Sequence, residues 1–178
     1  MMTDKELLVE AIAALLVAEE ENAGNEDRKI KYQLIGNVKR SEENLDFALH
    51  RLSSKWFNEL DGVTSKLYVF AVVYRSLSKS LYAPENRDRY SDDMRRLYFN
   101  RRNEMKSRLK KSLELYQDVE AIASGKTVMY HLMLRAYGHT KTVLSSSDRT
   151  YITIEYNHAF RHQAPGEMHF IAKEYIDK

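Results

Sequence analysis

A chain of 178 residues with 43% hydrophobic and 30% charged residues has apolar content enough for one buried core and too much for disorder to dominate. The absence of cysteine excludes disulfides, thiolate catalysis and Cys-containing zinc or iron–sulfur sites, while 2 Pro and 6 Gly favour long helices over a turn-dense sandwich or barrel. The formal net charge of +2 hides an asymmetry: residues 1–27 carry eight acids and one base, and the rest of the chain is strongly basic. That split predicts either docking of the acidic segment onto bases of this or another subunit, or a basic surface for a polyanion.

The first residues have no basic leader, and the apolar stretch that follows is broken by Glu10 and closed by Glu19-Glu20-Glu21, unlike a signal peptide. The most apolar later run, Leu67 to Tyr74, is far shorter than the ~20 residues that span a bilayer. A cytoplasmic protein without a membrane segment is therefore expected.

In chain order, Thr3 and Glu6 form a capping box for a first helix, with Met2 and Leu7 placed as a hydrophobic staple. Leu8, Ala11, Ile12, Leu15 and Leu16 recur at helical spacing until Asn22-Ala23-Gly24 ends it. Residues 26–60 hold two helical patterns, either continuous or broken near Gly36 to Ser41. The first uses Ile30, Leu34, Ile35 and Val38; the second uses Leu45, Ala48, Leu49, Leu52, Trp56, Phe57 and Leu60, with a stop at Asp61-Gly62. A third helix, from about Thr64 to Tyr82, aligns Leu67, Phe70, Ala71, Tyr74, Leu77 and Leu81 before Ala83-Pro84.

Ser91, Asp92 and Asp93 cap the longest helix, which runs to about Ala123 with Met94, Tyr98, Met105, Leu109, Leu113, Tyr116 and Val119 towards the core. Val128 to Ala136 suits a helix or a buried strand, and Met129, Leu132 and Met133 favour the helix. Val143-Leu144, the turn-rich residues 145–148 and Thr150 to Tyr156 predict a β-hairpin, and Met168 to Ile176 a third strand or closing helix. The sum is a mainly α chain: a helical bundle of four to five helices with a small C-terminal β-hairpin or sheet. It divides into a bundle body over 1–138 and a strand-containing tail over 139–178 packed on that body.

The basic stretch of the long helix is the most distinctive chemical feature. Arg95, Arg102, Lys106 and Lys110 fall within roughly 80° of one another on a flank of the apolar face, and Arg96 and Lys111 widen the stripe. Such a ridge could follow a phosphate backbone, with Tyr90 and Phe99 near enough to stack on bases. Solvated salt-bridged helix faces and docking of an acidic protein are the competing explanations; Arg101 and Arg108 are expected to snorkel or pair with acids.

Five of the 6 His lie in the last third: His131, His139, His158, His162 and His169. His158 and His162 are four apart, and with Arg161 and Tyr156 they would suit metal-free phosphodiester cleavage, one imidazole as base, one as acid and Arg161 offsetting charge. No Glu stands between them as in a zinc-protease motif, and ordinary loop histidines are the plainer expectation. Ser124-Gly125-Lys126-Thr127 resembles the end of a phosphate-binding loop, but Glu120 stands where that loop needs Gly.

The sequence therefore predicts a non-catalytic interaction protein without cofactor or metal, which binds nucleic acid, a nucleic-acid-handling complex or an acidic protein surface through Arg95, Arg96, Arg102, Lys106, Lys110 and Lys111. The alternatives are a small metal-independent ribonuclease or phosphodiesterase using His158, His162 and Arg161, and a structural or inhibitory protein that self-assembles or grips a partner through its acidic first helix.

Overall fold

The computed structural model describes residues 2–53 and 62–177, with residues 28 and 29 described in backbone only. Among these, five α-helices and a three-stranded sheet form two compact units, Met1–Tyr116 and Gln117–Lys178. Val128 to Ala136, read as the last helix of a body ending at 138, is a strand in the second of these units.

Helix α1 (Asp4–Gly24) starts with the predicted box: Glu6 N–H donates to Thr3 Oγ1 at 3.2 Å, and Thr3 N–H to Glu6 Oε2 at 2.7 Å. Two orphan donors are satisfied reciprocally, so the first turn closes without help from the core. Helix α2 (Arg28–Ser53) runs unbroken through Gly36 to Ser41. A lone Gly costs about 1 kcal/mol in a helix, too little to end one with no proline or competing cap beside it. Trp56, Phe57, Leu60 and the stop at Asp61 lie outside the described residues. Helix α3 (Gly62–Tyr82) ends before a 3-10 turn at Pro84–Asn86, and α4 spans Asp92–Ala123.

The first unit is organised by one core in which Leu8, Ile12 and Leu15 of α1 meet Leu45 and Ala48 of α2, Leu67, Ala71 and Tyr74 of α3, and Leu109 and Leu113 of α4. Met105 and Tyr116 pack against its edge. Met94 and Val119, expected inside, are 41% and 44% exposed. They lie roughly 80–100° round α4 from the direction shared by Leu109 and Leu113, beyond the stripe that one helix face can bury.

The second unit departs most from expectation. Val128 to Ala136 belongs to strand β1 (Lys126–Ala136), the centre of a sheet ordered β2-β1-β3 with β2 (His139–Ser146) and β3 (Glu167–Asp177) both antiparallel to it. Val128, Tyr130 and Leu132 are buried in alternation, so pairing on both edges overrides the helical preference of the Met and Leu residues. The hairpin is also elsewhere: Ala136 pairs with His139, and the two-residue turn Tyr137-Gly138 has positive φ at both positions, 52° and 80°, as a type I′ turn requires. Thr150 to Tyr156 is not its second strand but part of α5 (Arg149–Arg161). Asp148 Oδ1 accepts from Thr150 N–H at 2.8 Å and Tyr151 N–H at 3.2 Å, and fully buried Ile152 packs beside Val128 and Tyr130. An N-cap and one apolar contact thus outweigh a β-rich composition.

Candidate functional site

Three of the six bases assigned to the outward ridge are claimed inside the first unit. Arg102 is 9% exposed; its Nε donates to Ser78 Oγ at 2.7 Å, and its Nη2 donates to Tyr74 Oη at 2.6 Å and to the Glu19 carboxylate. Tyr74 in turn donates its hydroxyl proton to Glu19, and the guanidinium carbon lies 4.7 Å from the Tyr74 ring centroid. Lys106 Nζ stands 2.6 Å from Glu19 Oε2, and Lys110 Nζ donates to Glu20 at 2.8 Å.

This overturns the ridge as drawn. The helical spacing does gather Arg102, Lys106 and Lys110 on a flank of the apolar face, but that flank is the one covered by the acidic end of α1. Burial drives the Glu19 carboxyl upward, yet the bonds from Lys106 and Tyr74 and the charge of Arg102 hold it below its ordinary range. Burial first, then the bond to Glu19, pushes the Tyr74 hydroxyl well above its ordinary value, so it remains a proton donor. Arg95 is half-buried, Arg96 and Lys111 are exposed, and none of the three has an ion-pair partner among the described residues. Arg108 pairs with Glu104 at 2.7 Å as expected, whereas Arg101 is exposed and unpaired among those residues.

A second set of charges joins α2 to α3. Arg75 Nε and Nη2 reach the two oxygens of Asp46 at 3.0 and 3.1 Å, its Nη1 binds Glu42, and Lys79 Nζ is 3.0 Å from Asp46. Arg75 and Lys79 also line a surface cavity of about 310 Å³. The carboxylates already neutralise both cations, so the arrangement clamps two helices and leaves no electropositive hole for an anion.

In the second unit, Asp118 gathers three donors: Lys173 Nζ at 2.7 Å, Tyr175 Oη at 3.0 Å and Tyr130 Oη at 3.1 Å. Burial raises its carboxyl, but the bonds from Lys173 and Tyr175 outweigh that and leave it below the ordinary aspartate value. Sequence reasoning missed this group because its members lie 12 to 57 positions apart on α4, β1 and β3. No local spacing marks it; only strand register brings Tyr130 opposite Lys173.

His158 and His162 are brought together, with ring centroids 4.6 Å apart and planes tilted by 35°, at the exposed C-terminal end of α5. Arg161 is exposed beside them, and Tyr156 packs on Phe160 at 5.9 Å between centroids. General acid–base cleavage of a phosphodiester needs one imidazole on either side of the phosphorus. Rings stacked this closely on one surface leave no space for a phosphate between them. His131 is held elsewhere, its Nδ1 2.8 Å from Ser145 Oγ and its Nε2 3.4 Å from Glu174. Among the described residues no helix is long and apolar enough to cross a membrane.

No family model, curated protein or solved structure matches this chain.

Proposed function

We propose that this is a non-catalytic interaction protein that meets an acidic partner protein with the outer face of α4. With Arg102, Lys106 and Lys110 paired to α1 and Arg108 paired to Glu104, the exposed cations of that helix without an ion-pair partner among the described residues are Arg96, Arg101 and Lys111. The observation that carries the reading is their company. Leu97 and Leu115 are 56% and 42% exposed, and both share an arc of about 80° with Arg101, Arg108 and Lys111.

That stripe, about 27 Å long, has an exposed leucine at each end, Leu97 and Leu115, with Arg101, the Glu104–Arg108 pair and Lys111 between them. A phosphate backbone rewards the cations alone, whereas an acidic protein surface rewards both; interfaces combine apolar anchors with arginine. The leucines therefore favour protein over nucleic acid.

The test measures binding of the full chain to a fluorescent acidic amphipathic peptide, and to duplex and single-stranded oligonucleotides, across a salt series. Peptide binding that weakens in both Arg101→Glu/Lys111→Glu and Leu97→Asn/Leu115→Asn supports the proposal. Oligonucleotide binding lost in the charge variant and untouched in the leucine variant would instead make nucleic acid the partner. Absence of all binding at low salt, or indifference to both variants, refutes the proposed surface.

A further inference from the structure

We propose that His158 and His162 form a two-imidazole chelate for a divalent transition-metal ion, with Cu(II) held more tightly than Ni(II) or Zn(II). Helix α5 buries Ile152, and at 100° per residue positions 158 and 162 lie about 80–120° round from it, on the exposed side. Four-residue spacing stacks the two rings, which are 4.6 Å apart between centroids.

The backbone prepares one ligand atom. His162 Nδ1 lies 2.9 Å from the carbonyl oxygen of His158, one of the acceptors that a helix leaves open in its last turn. A carbonyl only accepts, so Nδ1 carries the proton, and the neutral ring must present its lone pair at Nε2. This is how a carbonyl behind a metal-binding histidine fixes tautomer and ring orientation. The His158 ring has no hydrogen-bond partner among the described residues, so it is open to coordinate.

The electrostatics oppose tight retention. Arg161 is exposed next to His162, and among the described residues no third His, Asp or Glu stands within ligating range. Solvent completes the coordination, which makes the ion exchangeable, unlike a closed structural zinc site. Imidazole with water as co-ligand places Cu(II) above Ni(II) and Zn(II) in affinity.

Isothermal titration of the metal-free full chain with Cu(II), Ni(II) and Zn(II), using glycine as competitor, tests the site, with electron paramagnetic resonance to count coordinating nitrogens. One Cu(II) per chain on two imidazole nitrogens is expected. His158→Asn and His162→Asn should each weaken it by at least about tenfold, and Arg161→Gln should tighten it. Circular dichroism of the variants separates loss of the site from loss of the fold. Cu(II) affinity unchanged in the folded His158→Asn/His162→Asn protein, or no uptake by the wild type, overturns the proposal.

Discussion

Replacing Glu19 by Ala removes the acceptor on which Arg102, Lys106 and Tyr74 converge. The guanidinium of Arg102 would keep Ser78 and Tyr74 but lose its counter-charge in a site where only 9% of the residue is exposed. Breaking a buried ion pair from one side costs about 3–5 kcal/mol, because the partner stays buried and uncompensated. Urea unfolding followed by circular dichroism would report that loss as a lower midpoint at unchanged slope. Removing the guanidinium as well, as in Glu19→Leu/Arg102→Met, should recover only part of it, since the buried charge is gone but the Tyr74 and Ser78 hydroxyls stay buried without their partners. A loss under about 1 kcal/mol for Glu19→Ala, a value usual for exposed pairs, would refute the account of a buried counter-ion. The pH dependence has a definite sign. Glu19 is depressed below 4.5 in the folded chain, so its contribution is complete above that value and disappears as pH falls through the lower folded one. Glu19→Gln should therefore flatten the acid limb of stability.

Other perturbations follow the same logic. Asp118→Ala strands Lys173 and two tyrosine hydroxyls and should lower stability by about 1.5–3 kcal/mol, read by chemical denaturation; Lys173→Met in that background should return part of it. At the β1–β2 turn, Gly138→Ala puts a Cβ at φ 80° and should cost about 1–2 kcal/mol, whereas Tyr137→Asn produces the Asn-Gly pair that type I′ turns prefer and should raise the melting temperature. Removal of residues 1–24 takes away Leu8, Ile12 and Leu15 together with Glu19, so the truncated chain should lose cooperative unfolding; a product that still unfolds cooperatively would show that α1 is dispensable to the core.

The partition of the charged ridge shows how far local pattern carries. Angular position on α4 follows from counting residues, and it did place Arg102, Lys106 and Lys110 together on a flank of the apolar face. Whether that flank meets water or Glu19 and Glu20 depends on which way α1 returns, a contact across more than eighty residues. The asymmetry of charge between residues 1–27 and the rest was visible in composition, and intramolecular docking was one of its two stated outcomes.

What the sequence by itself determined was whatever one turn or one helix face decides alone: the Thr3–Glu6 cap, the apolar stripe from Leu8 to Leu16 and the extent of α4. Each depends on neighbours within a few positions, where covalent geometry fixes distance. Tertiary structure decided the state of Val128–Ala136 and Thr150–Tyr156, whose local preferences are nearly balanced. Strand partners on both edges settled the first, and an Asp148 cap with a pocket for Ile152 settled the second. It also decided which cations remain exposed, because burial of a charge is a property of what folds over it.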